Sequence, residues 1–304
     1  MIGRKLSAAL RGEKLILQDI VPFEGASLVS DLSVPGEAEK LVASRPQTIF
    51  HLAAVVSGEA EADFDKGYRV NLDATRFLFE AIRKQNYRPR VVFTSSIAVF
   101  GAPFPEAIED EFLNAPLTSY GTQKAIGELL LSDYSRRGIF DGVGLRLPTI
   151  CVRPGKPNKA ASGFFSGIIR EPLAGQEAVL PVPETVRHWF ASPRAAIGFL
   201  LHAAKMDTAQ LGARRNLSMP GISATVGEQI EALRKVAGDK AARLIRREPD
   251  PTIMRIVEGW PRNFDTKRAL ALGFRADASF EDIIRIHLED EMRADSHPGS
   301  PQPR

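Results

Sequence analysis

The sequence predicts an α/β protein built on a doubly wound parallel sheet. Two observations carry this. Short β-branched or apolar runs alternate with helical patterns as far as Ser218, and polar residues of chemical interest follow the runs, where the carboxyl ends of parallel strands would gather them. In order, a helical pattern over Arg4–Leu10 precedes strand Leu15–Ile20, which carries Asp19 near its end. Helix Glu37–Ala43 precedes strand Thr48–Ala53, an apolar run closing in small residues. The amphipathic pattern Val70–Gln85 precedes strand Arg90–Thr94, and helix Ser119–Arg136 precedes strand Val143–Leu147. Helix Pro193–Ala204 and strand Asn216–Ser218 complete the series.

Composition bounds the function class. At 304 residues the chain can form one large domain or two smaller ones, and 44% hydrophobic with 25% charged residues is ordinary for a folded soluble protein. No apolar run approaches the ~20 residues that span a bilayer. The net charge of +3 is spread without a basic block interleaved with aromatics, which argues against nucleic-acid binding. A single cysteine, Cys151, excludes an internal disulfide, and His51, His188, His202, His287 and His297 lack metal-ligand spacing, so no metal is expected. Without a visible signal peptide the cytoplasm is the expected location. Residues 293–304, rich in Pro, Ser and charge, are expected to form a disordered tail.

The most informative stretch is Ser119-Tyr120-Gly121-Thr122-Gln123-Lys124. Residues four apart share a helix face, so Lys124 can stand beside Tyr120, and a nearby cation favours the phenolate. That spacing alone arises by chance about once in six such sequences, so its context matters. Upstream lie Ile49-Phe50-His51-Leu52-Ala53-Ala54, Val70-Asn71-Leu72-Asp73-Ala74-Thr75 and Val91-Val92-Phe93-Thr94-Ser95-Ser96. These segments, in this order, resemble the extended short-chain dehydrogenase/reductases, the NAD-dependent epimerase/dehydratase family, over nearly the whole chain. The resemblance implies a Rossmann sheet, NAD as cofactor, Tyr120 as base, Lys124 as its pKa-lowering partner that also holds the nicotinamide ribose, and Ser96 as the hydroxyl that positions the reacting oxygen. Ser95 is the alternative to Ser96. Asn71 matches the asparagine that steadies the active-site end of the sheet, and a helix cap is its other reading. The resemblance also implies a homodimer through helices Val70–Gln85 and Ser119–Arg136, whose apolar stripes could equally cover the sheet.

Family members place a first strand and a Gly-x-x-Gly-x-x-Gly loop before a helix like Arg4–Leu10, and here only Gly3 of that loop remains. The expectation is a truncated sequence with Met1 an internal methionine, weak in pyrophosphate binding. The alternatives are a chain that fills the gap differently and a non-functional fragment. The other cofactor positions are Asp19 on the adenosine ribose, which favours NAD over NADP, Asp31 and Leu32 at the adenine, Ala53 and Ala54 where the backbone approaches, and Pro148 to Ile150 on the nicotinamide side. An ordinary loop acid, an exposed turn and plain tight packing are the competing readings of Asp19, Asp31 and the two alanines.

Substrate identity rests on later segments. Where many members carry Asn-Val-Tyr-Gly-Pro, this chain has Thr149-Ile150-Cys151-Val152-Arg153, which weakens a nucleotide-sugar assignment. Arg153-Pro-Gly-Lys-Pro-Asn158 and Phe164-Phe-Ser-Gly-Ile-Ile-Arg170 instead resemble the D-erythronate dehydrogenase group, implying oxidation of the C2 hydroxyl of a four-carbon sugar acid. Arg187 and Ser57 are the candidate substrate partners, against a surface ion pair for the first and a plain loop residue for the second. Lys156, Lys159 and Arg170 could as easily grip a pyrophosphate. The expected organisation is a dinucleotide-binding domain of 1–152 rejoined by 187–219, with 153–186 and 220–292 forming a smaller substrate-binding region. The rivals are a nucleotide-sugar epimerase or dehydratase that retains its NAD and a catalytically impaired protein.

Overall fold

Strands that are apolar on both faces need helices on both sides, and this demand organises the chain. The structure, a computed structural model, describes residues 1–155 and 161–292. Helix α1 (Ile2–Ala9) leads to β1 (Gln18–Asp19), β2 (Leu28–Val29), α2 (Glu37–Val42) and β3 (Thr48–His51). Two short helices, α3 (Ser57–Ala62) and α4 (Phe64–Gly67), and a π-helical turn, Tyr68–Asp73, run into α5 (Ala74–Gln85). Next come β4 (Arg90–Ser96), α6 (Ser119–Arg136), β5 (Asp141–Leu147), β6 (Thr149–Ile150), α7 (Gly163–Leu173) and β7 (Ala178–Leu180). Then follow β8 (Arg187–Ala191), α8 (Pro193–Lys205), β9 (Asn216–Ser218), β10 (Ile222–Thr225) and α9 (Val226–Ala237). The described chain closes with α10 (Asp239–Ala242), β11 (Ile245–Arg247), α11 (Pro251–Glu258), α12 (Lys267–Ala271) and α13 (Phe280–His287).

The main sheet is parallel in the order β3-β4-β5-β9, and its register sets Ser96 opposite Leu147 and His51 opposite Phe93. Period-two alternation sends successive residues of β4 to opposite cores. Val91 and Phe93 pack with Leu78, Phe79 and Ile82 of α5, whereas Val92 packs with Leu6 of α1 and Phe199 and Leu200 of α8. Burying each such Leu or Phe stabilises the fold by about 1.5–3 kcal/mol. Ala269 and Phe274, from the far end of the chain, join the α1 and α8 side. A third core, with Phe165, Ile168, Phe190, Ile230 and Ile284, lies around the smaller sheet β10-β8-β6.

Several elements differ from expectation: the strand predicted over Thr48–Ala53 ends at His51, and those predicted over Arg90–Thr94 and Val143–Leu147 extend to Ser96 and back to Asp141. Strand Leu15–Ile20 shortens to Gln18–Asp19, because ladder bonds extend a strand and β1 pairs only with β2. The pair β1-β2 forms a sheet of its own, and among the described residues β3 is laddered only to β4. The helix expected from Val70 begins instead as the π-helical turn, which contains the buried Asn71. Such turns accommodate side chains with bonding demands of their own. The tail 293–304 and Lys156 and Lys159 lie outside the described residues. No helix among the described residues is long and apolar enough to cross a membrane.

Candidate active site

Two caps bring the site together. Ser96 ends β4 and its Oγ accepts from Ala98 N at 3.2 Å, turning the chain into a single 3-10 turn over Ile97–Val99. Thr118 caps α6, its hydroxyl accepting from Gly121 N at 3.1 Å, which sets Tyr120 in the first helical turn and Lys124 one turn later. The two caps meet at Gly121, where any side-chain carbon would run into the Ala98 carbonyl.

Lys124 is only 3% exposed, and its Nζ donates to the Thr94 carbonyl at 2.8 Å. The ammonium lies 4.9 Å from the Phe93 ring centroid and 5.8 Å from that of Tyr120. Burial pushes its pKa down to about 8, partly opposed by the carboxylate of Glu128. Tyr120 does not follow the expectation that Lys124 lowers its pKa. Loss of water around the phenol pushes it up to about 12, and only the Ser96 side chain, within hydrogen-bonding reach, acts in the other direction.

The adjacent serines have different partners. Ser95 is buried and donates to Glu128 Oε1 at 2.6 Å, and Arg146 grips the same carboxylate through Nε at 2.9 Å and Nη2 at 2.8 Å. This buried pair is a structural element, since breaking either side would strand a charge. Ser96 instead stands beside Tyr120.

Asn71 holds the loop after β3. Its Oδ1 accepts from Val55 N at 2.8 Å, and its Nδ2 donates to Val55 O at 3.2 Å and to Gln123 Oε1 at 2.8 Å. Its carbonyl accepts from Thr75 Oγ1 at 2.8 Å, which in turn lies 2.8 Å from His51 Nε2. Thr94 Oγ1 donates to the His51 carbonyl at 2.9 Å. Thr94, His51, Thr75 and Gln123 were missed by sequence reasoning; His51 and Thr94 are polar residues closing apolar runs, whereas Thr75 and Gln123 sit among other polar helix residues and carry no such signal.

The positions expected to face a dinucleotide are distributed as follows. Gly3 lies in the first turn of α1, whose N-terminus has no side-chain cap. Asp19 is exposed at the end of β1, its Oδ1 accepting from Val21 N at 3.3 Å. Asp31 Oδ1 accepts from Ser33 N at 2.9 Å and Ser33 Oγ at 2.6 Å, bonds that hold its pKa below the usual carboxylate value. Leu32 is buried against α2 and α5, leaving its backbone to make any contact. Ala53 and Ala54 are exposed after β3, Pro148 is buried and Ile150 half-buried. Lys124 has one bonded proton of three, so a buried ammonium with donors to spare lies at the carboxyl end of the sheet. These groups fit a dinucleotide: Asp19 and Asp31 would take the adenosine half, and Tyr120 and Lys124 the nicotinamide ribose.

Ser57 opens α3 and is half-buried. Arg187 lines a cavity of 690 Å³ with Phe104, Ser223, Arg262 and Asn263. Its Nη1 donates to Ser223 O at 3.1 Å and its Nη2 pairs with Glu228 at 3.2 Å, because β8 and β10 are antiparallel neighbours and Glu228 follows β10. Arg170 is engaged by Glu171 at 2.5 Å. Among the described residues no cluster of His, Cys, Asp and Glu could hold a metal ion.

Comparison with known proteins places these features in context. A family model described as the NAD dependent epimerase/dehydratase family matches residues 1–210. A D-erythronate dehydrogenase of Cupriavidus necator is 50% identical over 284 residues, covering 91% of this chain and 88% of that one. A D-erythronate dehydrogenase of Haemophilus influenzae is 45% identical over 262 residues, covering 86% and 83%. A crystal structure described as a nucleoside-diphosphate-sugar epimerase from Agrobacterium tumefaciens is 66% identical, with a TM-score of 0.92 over 96% of this chain and 92% of that one. L-threonine dehydrogenase structures, such as that from Cupriavidus necator at 22% identity and a TM-score of 0.85, share the fold.

Proposed function

Given that this chain belongs to the NAD dependent epimerase/dehydratase family, we propose that it oxidises the C2 hydroxyl of a four-carbon sugar acid, D-erythronate, to the 2-oxo acid. The observation that carries this reading is its 50% and 45% identity, over most of each chain, to two D-erythronate dehydrogenases. The geometry supplies the parts. An alcohol cannot release hydride until its proton is being removed; Tyr120 is the group to take that proton once the positive charge of bound NAD has brought its phenol down from about 12, and Ser96 holds the oxygen in place. NAD, when bound, accepts the hydride. Lys124 keeps a cation beneath the phenol ring and turns its unbonded protons to the nicotinamide ribose. Arg187 takes the substrate carboxylate in competition with Glu228, and Ser57 meets a hydroxyl. The protein acts as a homodimer through α5 and α6, where Leu129 is 69% exposed.

The description of the Agrobacterium tumefaciens structure favours a second reading, an epimerase acting on a nucleoside-diphosphate sugar. The two differ in the fate of the electrons. A dehydrogenase releases NADH, whereas an epimerase returns the hydride to its substrate. The test is absorbance at 340 nm on mixing the protein, NAD⁺ and D-erythronate. Sustained NADH formation supports the dehydrogenase. No NADH from the folded protein, together with conversion of a nucleoside-diphosphate sugar, moves the assignment to the epimerase.

A further inference from the structure

At the same end of the sheet as Ser96 and Tyr120 stands a hydroxyl whose hydrogen-bonding direction is set by its neighbours. Thr149 opens β6, two residues beyond Leu147, and Leu147 is the ladder partner of Ser96. At about 3.3 Å per residue, this places Thr149 at the same end of the sheet as Ser96, Tyr120 and Lys124. One side of Thr149 is buried against β8, where its Oγ1 lies 2.7 Å from His188 Nε2, and the residue is otherwise half-exposed.

His188 fixes the direction of that bond. Its Nδ1 lies 2.8 Å from the Pro261 carbonyl, which can only accept, so Nδ1 carries a proton. The ring is buried, stacked on Phe165 at 5.3 Å and flanked by Trp260 at 5.2 Å. Burial holds its pKa down to about 4, so the imidazole is neutral and Nε2 is bare. Thr149 therefore donates its only proton inward and presents lone pairs alone on its open side.

We infer that Thr149 is a specificity-determining residue whose oxygen, held as an obligate acceptor by the positioning residue His188, takes a hydrogen bond from a substrate hydroxyl other than the one oxidised. The inference rests on the sugar-acid reading and deepens it. A polyol hydroxyl can donate to this oxygen. A carboxylate cannot, and lone-pair repulsion turns that end of the substrate away. The pair Thr149 and His188 thus sets which end of a short hydroxy acid enters first.

The test compares wild type, Thr149→Val, Thr149→Ser and His188→Phe on D-erythronate and its 3-deoxy and 4-deoxy analogues, with NADH affinity measured by fluorescence. In wild type, one deoxy analogue should fall about tenfold below D-erythronate in kcat/KM. Thr149→Val should shrink that gap to about twofold through loss on D-erythronate alone, while Thr149→Ser keeps it. His188→Phe should shrink it with Thr149 still present, a change that a merely structural role would not bring. NADH affinity should stay within about twofold of wild type throughout. A gap that survives Thr149→Val overturns the inference while leaving the dehydrogenase reading intact. Weakened NADH binding in Thr149→Val with the gap unchanged overturns it too, since the donor is then on the cofactor. Absence of turnover by folded wild type removes the sugar-acid reading and this inference with it.

Discussion

Two neighbouring serines separate a structural role from the proposed catalytic one. Ser95 gives its hydrogen bond to the buried carboxylate of Glu128, so Ser95→Ala should cost about 1.5–3 kcal/mol in urea unfolding and leave kcat within about twofold. Ser96→Ala should leave stability nearly unchanged and lower kcat by about a hundredfold, because the reacting oxygen loses its fixed partner. Equal losses of activity in both variants would contradict the assignment. Tyr120 offers a second check. Its pKa is pushed up to about 12, so in the ligand-free protein it should remain a phenol well above the ordinary tyrosine value of ~10. The ultraviolet titration of wild type minus Tyr120→Phe should therefore show no tyrosinate signal until pH exceeds 11. A signal appearing near neutral pH would mean that Lys124 already controls the phenol without cofactor.

At the scale of elements, the site depends on how closely α6 meets the turn after β4. A Cβ at Gly121 would run into the Ala98 carbonyl and Pro116, so Gly121→Ala must push the first turn of α6, and Tyr120 with it, away from Ser96. Activity should fall by about ten- to a hundredfold, with a smaller relative loss of thermal stability. Kinetics alongside calorimetry checks this, and an Ala variant of full activity would show the contact to be slack. The π-helical turn Tyr68–Asp73 plays a comparable part on the other flank. It holds Asn71 where one side chain meets both the backbone of Val55 and Gln123 of α6, tying the loop after β3 to the helix that carries Tyr120.

For the whole molecule, His51 and His188, the buried imidazoles whose pKa burial lowers furthest, set the acid limit of stability, with His287 lowered in the same direction. Burial pushes His51 down to about 3, helped by the charge of Lys124, and His188 down to about 4. In the unfolded chain both titrate near ~6.5, so between that pH and the folded values the unfolded state binds more protons. The contribution of these two rings is therefore complete above pH ~6.5 and is lost as the pH drops toward 4. Melting temperatures measured at pH 7.5, 6 and 5 should decline in that order, and a flat profile would contradict the buried neutral state of both rings.

What could be read from the chain alone follows local periods. Tyr120 and Lys124 share a helix face because residues four apart always do, and β3, β4 and β5 are legible because runs such as Val91-Val92-Phe93, within the predicted strand Arg90–Thr94, are apolar on both faces. The family followed from the order of such segments. Tertiary structure alone decided the rest. That Ser95 turns its hydroxyl toward Glu128 depends on the packing of β4 against α6, and no local period encodes that. Arg187 meets Glu228 only because β8 and β10 run antiparallel, and Thr149 meets His188 only because β6 lies beside β8. Lys124 raises the same point through energy rather than contact. Its spacing from Tyr120 is local, but whether a phenol's pKa falls depends on how much water the fold removes from it, and here desolvation dominates, opposed only by the Ser96 side chain.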